Sequence, residues 1–247
     1  MKMWLTVCGV LLFSAVSIAQ PPLEWTPDTY PNPRRDPAAC GRPYVNASWV
    51  CDPNGLITVE EAEVLDYIID GMVNTDTPCP CSAYECGRNR KGYYIGIALM
   101  NKIKRHPNDP DTEENLMNAA LKFAYDLQND QWKYGTCKQS IIILFSKEDD
   151  MLYTVTGGTA RLVLTDPLVS TITANAWEHF QPGEDLSVGL KKMVINFKEV
   201  FRNEYYELAH FVDYSAIGGA TPLHSSNLLY GFCTLLGTIF MTWLLHG

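Results

Sequence analysis

The chain has 247 residues, 47% of them hydrophobic, enough for one domain with a substantial core between its two apolar ends. Its formal net charge is −9 and its pI about 5.0. With cations scattered along the sequence, that balance excludes the basic footprint of a nucleic-acid binder and speaks mainly for solubility.

Residues 1–19 carry Lys2, then an apolar run from Trp4 to Ala15, then the small-residue stretch Ser17-Ile18-Ala19. This is the pattern of a secretory signal peptide, and the expected mature chain starts in the turn-rich segment that follows. Cys8 leaves with the leader. Of the remaining cysteines, Cys233 lies in the C-terminal apolar stretch, and Cys40, Cys51, Cys79, Cys81, Cys86 and Cys137 fall in the exported part. An even number in an oxidising compartment reads as disulfides, whose connectivity the sequence leaves open. A zinc site at Cys79-Pro80-Cys81 with Cys86 is the weaker reading, because extracellular thiols are usually oxidised and the spacing is unusual for zinc.

Residues 20–50 form an arm with seven prolines, Pro21, Pro22, Pro27, Pro31, Pro33, Pro37 and Pro43, so neither a helix nor a long strand is expected. Cys40 and Cys51 are placed to staple the arm to the domain that follows. Asn46-Ala47-Ser48 is a glycosylation sequon, with Asn46 as the acceptor.

The domain proper is expected over 51–210. Asp52-Pro53-Asn54-Gly55 is a turn, and Thr58 with Glu61 forms a capping box. It opens a helix whose buried stripe is Ala62, Leu65, Ile69 and Met72. The carboxylates and amide near Gly55 do not match a twelve-residue calcium loop. After a cysteine-rich loop over 75–90, residues 92–100 (GYYIGIALM) read as a strand with Tyr93, Ile95, Ile97 and Leu99 on one face. Thr112 caps a second helix through about residue 128, with Glu113 and Glu114 at its positive end and an apolar stripe of Leu116, Met117, Ala120, Leu121, Ala124 and Leu127. Asp109, Asp111, Glu113 and Glu114 are explained by helix-start electrostatics more simply than by a divalent ion.

Ile141 to Phe145 is apolar on both faces, as expected of a strand covered by helices above and below. With the strand before it and the intervening helix it makes a βαβ unit, so those two strands should run parallel. Lys147-Glu148-Asp149-Asp150 turns the chain into a hairpin whose second strand is 151–156. Helical patterns follow from about Asp166 to His179 and from Glu184 to about Glu207, the second lined by Leu186, Leu190, Met193, Val194, Phe197 and Phe201. Residues 211–227 read as a stalk. Residues 228–245 are a nearly unbroken apolar stretch, about the minimum for crossing a bilayer. The lack of a following Lys or Arg leaves two forms of attachment open, a single-pass helix with minimal tail or a cleaved signal for a glycolipid anchor. Both place the domain outside the cell membrane.

These pieces in this order resemble the TPM domain, and within it the branch of extracellular modulators of the levamisole-sensitive acetylcholine receptor. The resemblance is carried by Cys40-Gly41-Arg42, the stretch CDPNGLITVEEAEVLD (51–66), the CPC of 79–81, GYYIGIALM, the Trp132 to Cys137 segment, the hairpin with Gly157, and FQPGEDLSVGL (180–190). It implies a three-layer α/β/α sandwich with a small mixed sheet, and an auxiliary protein that binds a pentameric acetylcholine-gated channel and raises its response to agonist. It implies no cofactor.

Other TPM members are linked with acid phosphatase activity and calcium, which makes a calcium-assisted hydrolase the alternative. Members of that kind carry Asp-Asn-Gly before the central strand, where this chain has Lys138-Gln139-Ser140, and a lysine there opposes a cation. Asp149 and Asp150 read as solvated turn residues. Gly157-Gly158-Thr159 with Arg161 could receive a phosphate on backbone amides, but lacks the lysine and spacing of a P-loop and reads as a tight turn needing glycine. His106, His179, His210, His224 and His246 stand singly, and no nucleophile elbow is present. No catalytic or metal-ligating residue is expected, and Cys137 is expected to tie the hairpin's entrance to the disulfide-rich arm.

Overall fold

The structure is a computed structural model that describes residues 21–202. The expected leader, stalk and membrane segment, and the end of the expected domain, lie outside the described residues. Among those residues no helix is long and apolar enough to cross a membrane.

In chain order the elements are β1 (Glu24–Trp25), β2 (Val50–Cys51), α1 (Val59–Gly71), α2 (Ala83–Arg88), β3 (Tyr94–Met100), β4 (Lys102–Ile103), α3 (Glu113–Asp126), β5 (Ser140–Ser146), β6 (Met151–Thr156), α4 (Asp166–Ala176) and α5 (Leu186–Phe201). A four-stranded mixed sheet has the order β2-β3-β5-β6, and β1 pairs with β4 in a separate two-stranded ribbon. The expected parallel pair is β3 with β5, from Tyr94 opposite Ser140 to Met100 opposite Ser146, and β6 returns antiparallel.

Helix starts follow local chemistry. The Thr58 hydroxyl accepts from the Glu61 amide at 3.2 Å while the Glu61 carboxylate accepts from the Thr58 amide at 2.7 Å, so both free donors of the first turn are met. Thr112 caps α3 by accepting from the Asn115 amide, and Asp185 caps α5 by accepting from those of Ser187 and Val188. Both α1 and α3 run on into a π-helical turn, at Met72–Asp76 and Leu127–Trp132. The cysteine-rich loop contains a helix the sequence reading did not expect, α2, capped by Ser82.

Side chains that pair across adjacent strands share a face. Tyr93 stacks on Phe201 of α5 with ring centroids 3.7 Å apart, and Phe145 meets Phe180 edge-on at 5.3 Å. Ile95, Ile97 and Leu99 of β3 and Ile141, Ile143 and Phe145 of β5 therefore look toward α1, α4 and α5. Gly96, Ala98, Ile142 and Leu144 look toward α3. Helices thus cover both faces, and every residue of β5 is buried. At Gly96 the rings of Trp132 and Tyr134 come within 2.8 Å of where a Cβ would stand, so only glycine lets the Trp132 segment lie on β3.

The Pro-rich arm is more than a tether. It adds β2 to the sheet edge and buries Trp25, Tyr30 and Trp49. Tyr30 packs edge-on to Phe123 of α3, and its hydroxyl lies 2.8 Å from the Cys51 carbonyl and 2.7 Å from that of Leu99, one proton serving two acceptors in turn. A second anchor is the Arg42–Asp66 ion pair at 3.2 Å, with the Arg42 side chain 2% exposed. Asp66 also accepts from the Trp49 amide at 2.6 Å and the Ser48 hydroxyl at 2.8 Å. Burial, working against these partners, raises the Asp66 carboxyl above its ordinary value.

The six cysteines pair as Cys40–Cys51, Cys79–Cys86 and Cys81–Cys137. The first closes the arm onto β2. The third ties the entrance of β5 to the loop after α1, where the sequence reading had joined Cys137 to the arm. The zinc reading loses its ligands, because thiolates are needed and the sulfurs of Cys79, Cys81 and Cys86 are all bridged. Glu85 stands within 4.8 Å of the Cys81 and Cys137 sulfurs, but these are spent on each other.

Candidate functional site

α3 is rotated relative to the expected stripe. Ala120, Phe123, Ala124 and Leu127 meet the sheet, while Met117 and Leu121 are 46% and 41% exposed. That rotation leaves Leu121 and Tyr125 as one wall of a groove of about 930 Å³. The opposite wall is α4, through Val169 and Thr173, with Trp177 of the turn that follows it. Residues of β6 form the floor, and the loops 133–138 and 157–161 close one end.

β6 is an edge strand, with β5 its sole neighbour in the sheet among the described residues. Gly157 donates to the Ser140 carbonyl at 2.8 Å, which fixes the antiparallel pattern: Val155, Tyr153 and Met151 turn their backbone groups toward β5. Leu152, Thr154 and Thr156 then aim theirs at the groove. No charge, proline or bulge guards this six-residue edge, Met-Leu-Tyr-Thr-Val-Thr.

The closed end is a strained, well-held loop. Lys133 and Lys138 adopt left-handed backbone angles, φ 50° and 59°, as does Gly135 at 78°. For a lysine this costs about 1 kcal/mol or more. The loop is held by the Cys81–Cys137 bridge, by the Gln139 side chain accepting from the Cys137 amide at 2.9 Å, and by the Lys138 carbonyl accepting from Thr159 and Ala160. Lys133 and Lys138 are exposed, and among the described residues neither has a carboxylate within ion-pair distance. Arg161 is bonded to Asp166, the one carboxylate in the lining. The Tyr134 ring turns from this loop onto Gly96 and Trp49, where it is buried, and its hydroxyl has no hydrogen-bond partner among the described residues. Burial pushes that phenol well above the ordinary tyrosine pKa.

The sequence-nominated positions sort clearly. Of Lys138-Gln139-Ser140, only Lys138 faces outward; Gln139 and Ser140 are buried, and Gln128 donates to the Ser140 carbonyl at 2.9 Å. Asp149 is not the solvated turn residue expected of it. Its carboxylate accepts from the Ile103 amide at 2.8 Å and the Ser146 hydroxyl at 2.6 Å, joining β4 to the hairpin. Asp150 is exposed at φ 47°. Gly157 is required because a Cβ there would stand 2.4 Å from the Lys138 carbonyl oxygen, whereas Gly158 has nothing nearer than 3.8 Å. The amides of Gly157, Thr159, Ala160 and Arg161 all go to protein carbonyls, so they do not form a phosphate cradle.

Elsewhere, Asp52 accepts from the Ile57 amide at 2.8 Å and Asn54 from the Trp25 indole at 2.9 Å, as turn anchors. Asp111 pairs with Arg105 at 2.8 Å and Asp109 accepts from the His106 amide. His106 lies in that loop and His179 beside Lys192 and Glu178, far apart in the chain; His210, His224 and His246 lie outside the described residues. Asn46 is exposed, while Ser48 of its sequon is buried. The groove itself was missed by sequence reasoning. The uncharged run from Met151 to Thr156 was the available signal.

The class so defined is a disulfide-stapled, mixed α/β domain with an open strand edge set in a basic-ended groove. The chain belongs to the modulator of levamisole receptor-1 family, whose model matches residues 25–150. No curated protein matches it. Among solved structures, the N-terminal domain of a protein from P. gingivalis is similar at 18% identity and TM-score 0.48, over 76% of this chain and 99% of that one. The BA42 protein from the psychrophilic bacterium Bizionia argentinensis is similar at 15% identity and TM-score 0.37, over 63% and 88%.

Proposed function

We propose that this chain is an extracellular auxiliary protein that binds a levamisole-sensitive acetylcholine receptor and raises its response to agonist. The observation that carries the reading is membership of the modulator of levamisole receptor-1 family over residues 25–150. Disulfides stapling the domain agree with an oxidising compartment. In this reading the role is non-catalytic and needs no cofactor, the domain is the three-layer TPM type, residues 1–19 are a signal peptide, Asn46 carries a glycan, and 228–245 attach the protein to the cell membrane as a single-pass helix or a glycolipid anchor. The hydrolase alternative finds no support at Asp149 or in the Gly157 loop, whose polar groups are engaged within the fold.

An auxiliary protein raises agonist response only by binding one receptor state more tightly than another. Co-expression with a levamisole-sensitive receptor and recording of agonist-evoked current tests this; the expected result is larger current or higher sensitivity. Unchanged amplitude and sensitivity, with the chain present at the surface, overturn it. Release from cells by a phosphatidylinositol-specific phospholipase decides between the two forms of attachment.

A further inference from the structure

We propose that the open edge of β6 takes an extended acidic segment of a partner protein as an added strand. Three observations converge on this. Leu152, Thr154 and Thr156 direct backbone donors and acceptors that are unpaired among the described residues into the groove, and an uncharged, β-branched and aromatic edge is one that pairs with a further strand unless it is guarded. A six-residue strand is about 20 Å long, room for three alternate side chains on each face. They would meet Leu121 and Tyr125 on one side and Val169 and Trp177 on the other.

Charge identifies the occupant. In a chain of net charge −9, the groove's lining holds Lys133, Lys138 and Arg161 against Asp166 alone. Both lysines are exposed, held in left-handed backbone by a disulfide-anchored loop, and gathered beside the end of the strand. An acidic residue at the Thr156 end of the added strand meets both lysines. This deepens the auxiliary-protein reading, on which assigning the segment to a receptor rests.

The test measures binding to the full chain of a fluorescent peptide of about eight residues, alternating threonine and valine and ending in two glutamates. Its lysine-ended and backbone N-methylated counterparts are the controls. The acidic peptide should bind, and N-methylation, Thr154→Pro, or Lys133→Asp with Lys138→Asp should each weaken it about tenfold. Aspartate suits left-handed backbone, and a proline whose lost N–H faces outward is tolerated on an edge strand; should Thr154→Pro not fold, the N-methylated peptide still decides. Binding indifferent to N-methylation overturns strand addition. Equal binding of the lysine peptide overturns the acidic preference. A concentration-dependent dimer that Thr154→Pro abolishes gives the edge to a second copy, and tighter peptide binding after Glu204→Lys with Glu207→Lys gives it to the chain's own next segment; either overturns the proposal. In co-expressed receptors the double lysine variant should reach the surface and lose the increase in current. If it keeps the increase, the groove inference fails and the auxiliary reading stands; if the wild type gives none, that reading fails and the peptide measurement still decides the groove.

Discussion

Asp66→Asn isolates what holds the N-terminal arm on the domain. The carboxylate accepts from Arg42 at 3.2 Å, from the Ser48 hydroxyl at 2.8 Å and from the Trp49 amide at 2.6 Å. Arg42 is 2% exposed and its Nε has no partner among the described residues, so neutralising Asp66 strands a buried cation. Removing one member of a buried pair costs about 3–5 kcal/mol. Asparagine keeps an oxygen for the Trp49 amide, which puts the expected loss near 3 kcal/mol, or about 6–12 °C in Tm for a domain of this size. Thermal unfolding followed by circular dichroism reads this directly. Arg42→Met added to Asp66→Asn should recover much of the loss, because a pair removed together leaves no bare charge. A single variant within about 1 kcal/mol of wild type would mean that Arg42 reaches water after all, and would refute the argument.

Loop-closure entropy ranks the disulfides. Cys81–Cys137 spans 56 positions and Cys79–Cys86 only 7; replacing both cysteines of the first by alanine should cost about 4 kcal/mol and of the second about 2.4 kcal/mol, read by urea unfolding. Equal losses would show that native packing, not chain entropy, sets the cost. Gly157→Ala should cost about 1–3 kcal/mol, since its Cβ has 2.4 Å to the Lys138 carbonyl, whereas Gly158→Ala should leave stability within about 0.5 kcal/mol. Burial raises the phenols of Tyr30 and Tyr134 well above their ordinary pKa. The unfolded chain therefore loses tyrosine protons above about pH 10 that the folded chain keeps, and stability should fall as pH climbs through that range. The urea midpoint should drop less steeply in Tyr30→Phe; an unchanged slope would remove Tyr30 as a cause.

Much of the fold was legible because it is written in local patterns. The capping box of Thr58 and Glu61, the apolar run of β5 and the hairpin turn each depend on a few neighbouring residues, and each stands as read. The two-residue β2 was not legible: it carries no period of its own, and its partner Ile97 lies far along the chain. Asp149 reads as a solvated turn residue, yet β4 engages its carboxylate, and Asp66, which carries no signal of its own, is engaged by the arm.

The sequence by itself determined the long helices and strands, the parallel pairing through the crossover helix and the oxidisable cysteines, since propensity, periodicity and capping act over a few residues. Only the tertiary structure decided which cysteines meet, which face of α3 turns to the sheet and which strand is left at the edge. Those follow from packing among segments far apart in the chain. The groove exists because the turn of α3 that buries Phe123 also exposes Leu121 above β6, whose outward backbone groups no described segment reaches.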